Sequence, residues 1–144
     1  MIVYKITTDG KATTTGAIMR DVVETYYTDM APYASLSLLE IFERIKNLPY
    51  RPDPPSVETL MRPSHTMQMR GTGGDCDCKA LALAAWCRLH SIPFRFIAIR
   101  RPGRKSLHHV ALELYYKDKW IFADPTYRFN TLGRKRDEAE RVVL

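Results

Sequence analysis

Three side chains in this sequence have the types and the order needed for covalent chemistry: Cys76, His109 and Asp124. Cys76 stands in Gly74-Asp75-Cys76-Asp77, where a glycine-rich approach runs into an apolar helical stretch. The first N–H groups of a helix have no intrahelical acceptor, and the positive end of the helix dipole favours a thiolate over a thiol. The thiolate is the nucleophile in covalent catalysis. A lone cysteine is as readily a small buried filler, so its partners decide the reading.

Those partners come from a hairpin. If Lys117-Asp118 is a two-residue turn, Tyr116 faces Lys119, and counting back sets Ala111 opposite Asp124 and His109 opposite Thr126. Alternate residues share a face, so His109 and Asp124 become diagonal neighbours at ~7–8 Å, close enough for their side chains to meet. A carboxylate beside a histidine fixes its tautomer and stabilises the imidazolium. A one-residue slip would break this geometry. His108 is the competing histidine, but its side chain points to the face opposite Asp124. The set reads as nucleophile, base and orienter, in that order.

The elements that must hold these groups can be traced along the chain. Residues 1–8 alternate weakly and suggest a short strand or extended arm, followed by the turn signal Asp9-Gly10. Thr13 to Gly16 reads as a helix start. Ile18, Val22, Val23, Tyr26, Tyr27 and Met30 then follow at helical spacing, with Pro32 near the end. A second amphipathic helix runs from Ser35 through Leu38, Leu39, Phe42, Ile45 and Leu48. Five prolines (Pro49, Pro52, Pro54, Pro55 and Pro63) mark residues 49–63 as a stiff connection, with a short turn at Val57 to Met61. Gly71, Gly73 and Gly74 form a flexible approach to the cysteine.

Asp77 to His90 reads as a helix, with alanines at 80, 82, 84 and 85 that let another layer pack closely. Phe94 to Ile99, Val110 to Tyr116 and Trp120 to Ala123 have strand patterns. The tail from Arg128 is charged, with one or two helical turns expected near Asp137 to Val142. The expected organisation is one domain over 1–144: helical support and the proline-rich connection in 1–63, a catalytic core in 64–127 and a charged tail in 128–144.

Composition sets bounds on these readings. Hydrophobic residues make up 45% and charged residues 26%, a globular balance. The longest near-apolar stretch, Ala80 to Cys87, is far short of the ~20 residues that span a membrane. The N-terminal residues lack a secretory layout, and three cysteines make a poor disulfide framework. A reduced cytoplasmic setting is therefore expected. The net charge is +6, and the surplus lies wholly in residues 73–144. Arg100, Arg101, Arg104 and Lys105 form one basic cluster, and Arg134, Lys135 and Arg136 another. Such clusters can bind phosphates, but no nucleic-acid motif accompanies them, and the first leads straight into His109. Zinc is disfavoured because Cys76-x-Cys78 lacks a second pair, and Cys87 lies about 16 Å along the helix.

Residues 71–127 resemble the transglutaminase-like core of the papain-like cysteine-enzyme superfamily. The stretches that carry the resemblance are Gly74-Asp75-Cys76-Asp77-Cys78-Lys79-Ala80, Ser91-Ile92-Pro93-Phe94-Arg95, His109-Val110-Ala111-Leu112-Glu113 and Trp120-Ile121-Phe122-Ala123-Asp124-Pro125-Thr126. The resemblance implies an α+β fold of that type, with N-terminal helices and the cysteine helix on an antiparallel sheet. It also implies Cys76 as nucleophile, His109 as general base and acid, and Asp124 as orienter, with no metal or cofactor. Three positions depart from the family pattern: Cys78 replaces an acidic residue, Ser91 a glycine, and Ala111 an aromatic. The backbone N–H of Cys76 is the natural oxyanion donor. Gln68 is similar to the glutamine that papain-like enzymes use, and Trp86 and Arg100 are assigned to the groove wall.

The expected activity is acyl transfer through a thioester on a peptide or protein substrate, with an acidic one suggested by the basic loop. Peptide or amide hydrolysis ranks ahead of crosslinking because Ala111 replaces the aromatic. The alternative from another class is a binding or assembly module on the same fold, resembling small bacterial and phage proteins and associated with a virion if phage-encoded. Neither nucleic acid nor membrane is an expected partner, and an oligomer or assembly partner stays open.

Overall fold

The computed structural model describes residues 3–7, 12–52, 57–68 and 73–144. Asp9-Gly10, Pro54, Pro55 and Gly71 lie outside them. Helix α1 (Ala12–Tyr26) buries Met19, Val22 and Val23 on one stripe and leaves Arg20, Asp21 and Glu24 in solvent. The helical spacing continues to Met30, but the chain tightens into a 3-10 helix over Tyr27–Tyr33 that contains Pro32. Helix α2 (Leu38–Lys46) starts later than Ser35 because Ser37 and Glu40 form a capping box. The Glu40 N–H donates to Ser37 Oγ at 3.1 Å, and the Ser37 N–H donates to Glu40 Oε1 at 2.9 Å.

Two further elements replace the expected turn and part of the stiff connection. Strand β1 (Val3–Thr7) pairs antiparallel with β2 (Val57–Met61) from Val3–Met61 to Thr7–Val57. The β-branched residues of 57–61 read as a turn in isolation and become a strand once β1 supplies a partner. Pro63 then opens the short helix α3 (Pro63–Thr66), where its missing N–H costs nothing.

Helix α4 (Cys76–Leu89) is the centre of the molecule. Ala80, Leu81, Ala82, Leu83, Ala84, Ala85 and Cys87 are fully buried, and a helix that is apolar all round must be enclosed on all sides. It packs against α1, α2, α3, the 3-10 helix and the main sheet. Its alanines allow that close approach. Truncating Leu81 or Leu83 there would cost about 2–5 kcal/mol.

The main sheet is antiparallel in the order β5-β4-β3-β6, built from β3 (Phe94–Arg100), β4 (His109–Tyr116), β5 (Lys119–Ala123) and β6 (Glu140–Val143). Phe94, Phe96, Leu112 and Leu114 face α4, while Ile97, Ile99, Ala111 and Phe122 cluster on the other face. Lys117 and Asp118 have φ of 52° and 65°, the left-handed pair a two-residue hairpin turn needs. The turn sets Tyr116 opposite Lys119 and Leu112 opposite Ala123, the register expected from the sequence. The tail corrects an expectation: its last residues are a strand, not helical turns. Glu140–Val143 pairs with the open edge of β3, and Arg141 donates to both Glu113 and Glu138 at 2.8 Å.

Candidate active site

The site lies where the start of α4 meets the start of β4 and the end of β5. Gly73 and Gly74 are buried and pinned, not flexible. The Gly74 N–H donates to the Pro49 carbonyl at 3.2 Å, and its carbonyl accepts from Arg51 N–H at 3.0 Å. Gly73 has φ +47°, and a Cβ there would lie 2.0 Å from the Pro49 carbonyl oxygen. A Cβ on Gly74 would lie 2.4 Å from that of Cys78. Only glycine lets the chain pass between the Pro49 segment and the helix. Asp75 caps α4 by accepting the Cys78 N–H at 3.2 Å, which leaves Cys76 at the first helical position. Cys78 is buried, and its thiol donates to the Thr59 carbonyl at 3.4 Å.

Cys76 is half-buried, and its Sγ donates to Asp77 Oδ1 at 3.7 Å. The backbone N–H of Val110, one residue past His109, points at the sulfur. Burial pushes the Cys76 thiol well up, with Asp77 and Asp75 adding to the rise and the Val110 N–H opposing it. This corrects the expectation that the helix terminus favours a resting thiolate. The same turn that supplies the dipole carries two carboxylates, and a buried negative sulfur beside them is unfavourable.

His109 and Asp124 meet at 2.7 Å between Nε2 and Oδ2, with both side chains buried. The other carboxylate oxygen, Oδ1, accepts the Thr126 N–H at 3.2 Å. The Asp124 backbone carbonyl accepts from Asn130 Nδ2 at 3.0 Å. Burial alone would raise the Asp124 pKa, but the hydrogen bonds from His109 and Thr126 outweigh it and hold the carboxyl below its ordinary value. With Nε2 engaged, Nδ1 is the His109 nitrogen available to exchange a proton. The His109 ring stacks on Tyr127 at 5.9 Å. Among the described residues no hydrogen bond joins Cys76 Sγ to this ring, and such contacts commonly tighten only when substrate binds.

A buried cation ties the two halves together. Lys79 lies one turn into α4 and is 1% exposed. Its Nζ donates to the carbonyls of Lys46, Leu48 and Thr126 at 3.2, 2.7 and 2.9 Å. Burial lowers its pKa to about 8, with Arg128 adding to the fall and Asp124 opposing it. Lys46 Nζ in turn donates to the Asn130 carbonyl at 3.1 Å.

A family model described as the transglutaminase-like superfamily matches residues 18–125, which include Cys76, His109 and Asp124. The chain belongs to this superfamily. No curated protein matches it. Solved structures similar to this transglutaminase-like chain include a candidate cysteine protease from Cytophaga hutchinsonii, with 19% identity and a TM-score of 0.47. They also include the periplasmic domain of TgpA from Pseudomonas aeruginosa bound to ethylmercury, with 16% identity and a TM-score of 0.47. The alignments cover 94% and 81% of this chain but 48% and 44% of those chains, so it spans about half their length.

The remaining groove residues of the transglutaminase-like chain are placed differently from one another. Gln68 is exposed just past α3, and its backbone N–H donates to the His65 carbonyl. Trp86 does not line the groove. It is buried ten residues along α4, about 15 Å from Cys76 by helical rise, with its indole N–H donating to the Tyr33 carbonyl. Arg100 turns to the sheet edge, where Nε donates to Glu140 at 3.3 Å. Its neighbour Arg101 reaches the site instead, with Nη2 3.7 Å from Asp124 Oδ2 and Nη1 donating to the Asp137 carbonyl. Adjacent residues leaving a strand point to opposite sides, so a one-residue difference decides which arginine arrives. His108 interacts with the Ser106 carbonyl through Nδ1.

Lys79 and Asn130 are residues beside the site that the sequence reading passed over as functional, while Arg101 was read only as one member of the basic loop. Lys79 did leave a signal, as a lone cation inside an otherwise apolar helical run. Among the described residues no group of three His, Cys, Asp or Glu side chains is arranged to hold a metal ion, and no helix is long and apolar enough to cross a membrane.

Proposed function

We propose that this protein is a cysteine-dependent acyl-transfer enzyme that hydrolyses a peptide or amide bond. The observation that carries the proposal is the buried 2.7 Å pair between His109, which opens β4, and Asp124, just past β5, with the next N–H of β4, that of Val110, facing Cys76 Sγ. As substrate enters, His109 Nδ1 takes the thiol proton and Sγ bonds to the carbonyl carbon. The carbonyl oxygen becomes an oxyanion, met by the Cys76 N–H, which has no intrahelical acceptor at the first helical position. The C–N bond then breaks, and His109 returns the proton to the leaving amine. Water, deprotonated by His109, cleaves the thioester and releases the acid and the thiol. Asp124 keeps the imidazole oriented and offsets its positive charge. Hydrolysis is preferred to crosslinking because Ala111 is small and buried where the family commonly has an aromatic.

A second reading, a binding or assembly module that keeps the fold, draws on the raised Cys76 thiol. Alkylation by limiting iodoacetamide at neutral pH separates the two. Cys78 and Cys87 are fully buried, so Cys76 should react first in either case. In an enzyme His109→Ala slows Cys76 alkylation at least about tenfold, because base assistance is lost. An unchanged rate in His109→Ala, or equal slow labelling of all three cysteines, would sink the enzymatic reading.

A further inference from the structure

Tyr127 is sandwiched between the His109 ring at 5.9 Å and the Phe129 ring at 5.2 Å, with interplanar angles of 10° and 7°. Tyr50 adds a fourth ring against Tyr127 at 5.7 Å. Phe129 is 67% exposed, so the aromatic column leads from the histidine out to solvent. Beside Phe129 lies a 370 Å³ cleft whose lining includes Arg134, Lys135, Arg136 and Asp137. That size falls in the ~300–1,000 Å³ range of ligand sites.

Several arginines elsewhere in the molecule are neutralised by carboxylates. Arg62, Arg88, Arg95 and Arg141 each bind a carboxylate. Among the described residues no ion pair engages Arg134, Lys135 or Arg136, and Arg136 lies 4.8 Å over the Phe129 ring. Three cations thus face one carboxylate, that of Asp137, next to an exposed aromatic surface.

We propose that this cleft is a subsite for acidic side chains of a peptide whose backbone lies along the Tyr50–Tyr127–Phe129 surface. The proposal rests on the peptide-hydrolase reading and names its substrate class. From the His109 ring to the Phe129 ring is about 11 Å at most, which an extended peptide at ~3.3 Å per residue covers in roughly three residues. The preferred substrate therefore carries Asp or Glu two to four residues from the attacked carbonyl. The aromatic rings supply contact area at low entropic cost, and the cations supply the selection.

The test measures binding apart from turnover. Rhodamine-labelled Glu-Glu-Ala-Gln-Ala-Glu-Glu and its counterpart with lysines for glutamates are titrated into Cys76→Ala protein by anisotropy at low salt. The acidic peptide should bind at least about tenfold more tightly. Arg134→Glu/Lys135→Glu/Arg136→Glu should abolish that preference, and Phe129→Ala should weaken the acidic peptide several-fold. Reversing Lys117 and Lys119 at the hairpin tip should leave the preference intact. The proposal is overturned by equal affinities, by no response to the triple reversal, by an equal response to the hairpin reversal, or by tighter binding of an oligothymidylate than of the acidic peptide. Selective binding of the acidic peptide with no turnover by the wild type would stand against the catalytic reading and uphold the subsite. Turnover of both peptides alike would do the reverse.

Discussion

The two ends of the site are opposites. At the sulfur end, burial and then the neighbouring Asp77 and Asp75 push the Cys76 thiol up. At the carboxylate end, Asp124 is surrounded by donors and cations: His109 at 2.7 Å, the Thr126 N–H at 3.2 Å and Arg101 at 3.7 Å. Each surrounding stabilises one protonation state, a neutral thiol at one end and an ionised carboxylate at the other. The contrast teaches that the two ends are electrostatically opposed: the surroundings of Cys76 disfavour a thiolate, while those of Asp124 favour its carboxylate. In the proposed reaction His109 takes the thiol proton, and the ionised Asp124 offsets the charge that the imidazole gains.

The strongest way to break this contrast is to remove the link between the ends. His109→Ala should lower turnover by about 10²–10⁴-fold, the usual worth of a positioned acid–base group, in a steady-state peptide assay. Asp124→Asn should fall in the same range, with circular dichroism confirming an intact fold. Next comes the acidic surrounding of the sulfur. Asp77→Asn removes the largest charge effect that raises the thiol, so the pH profile of Cys76 alkylation should move to lower pH and the rate at neutral pH should rise about threefold to tenfold.

Smaller effects sharpen the carboxylate end. Arg101→Gln removes the cation that shares Asp124 Oδ2 with His109. Turnover in the peptide assay should then fall several-fold while melting temperature changes little; unchanged turnover would leave Arg101 with packing alone. The smallest effect is on stability. The Asp124 carboxyl lies below its unfolded value of ~3.9, so its contribution is complete above that pH and is lost as pH falls through the lower folded value. Acid unfolding of Asp124→Asn should show a shallower dependence below about pH 4.

Much of this arrangement could be read before any coordinates. The hairpin register followed from one fact, that a two-residue turn at Lys117-Asp118 leaves a single way to count back to His109 and Asp124. The Cys76 helix was legible because a glycine-rich approach gives way to an apolar run; the Asp75 cap that fixes its first turn was not read from the sequence. What escaped depends on partners distant in sequence. Glu140–Val143 carries too few residues to declare a strand, and becomes one only because β3 has an unpaired edge. Trp86 suits a core or a groove wall equally, and the Tyr33 carbonyl settles it. The rise of the Cys76 thiol was not foreseen because the helix terminus was considered without burial and the charges of Asp77 and Asp75.

Lys79 has a consequence for how the groove assembles. Its three acceptors are 33, 31 and 47 residues away along the chain. Closing such loops is paid for in chain entropy before any contact returns it, so these bonds belong to the later events of folding. Once made, they gather the end of α2, the start of α4 and the Asp124–Thr126 turn around one ammonium group. Three stretches of the groove wall are thereby tied to one point. For the proposed reaction, walls held in place beforehand would leave a substrate's binding energy for reaching the reactive geometry.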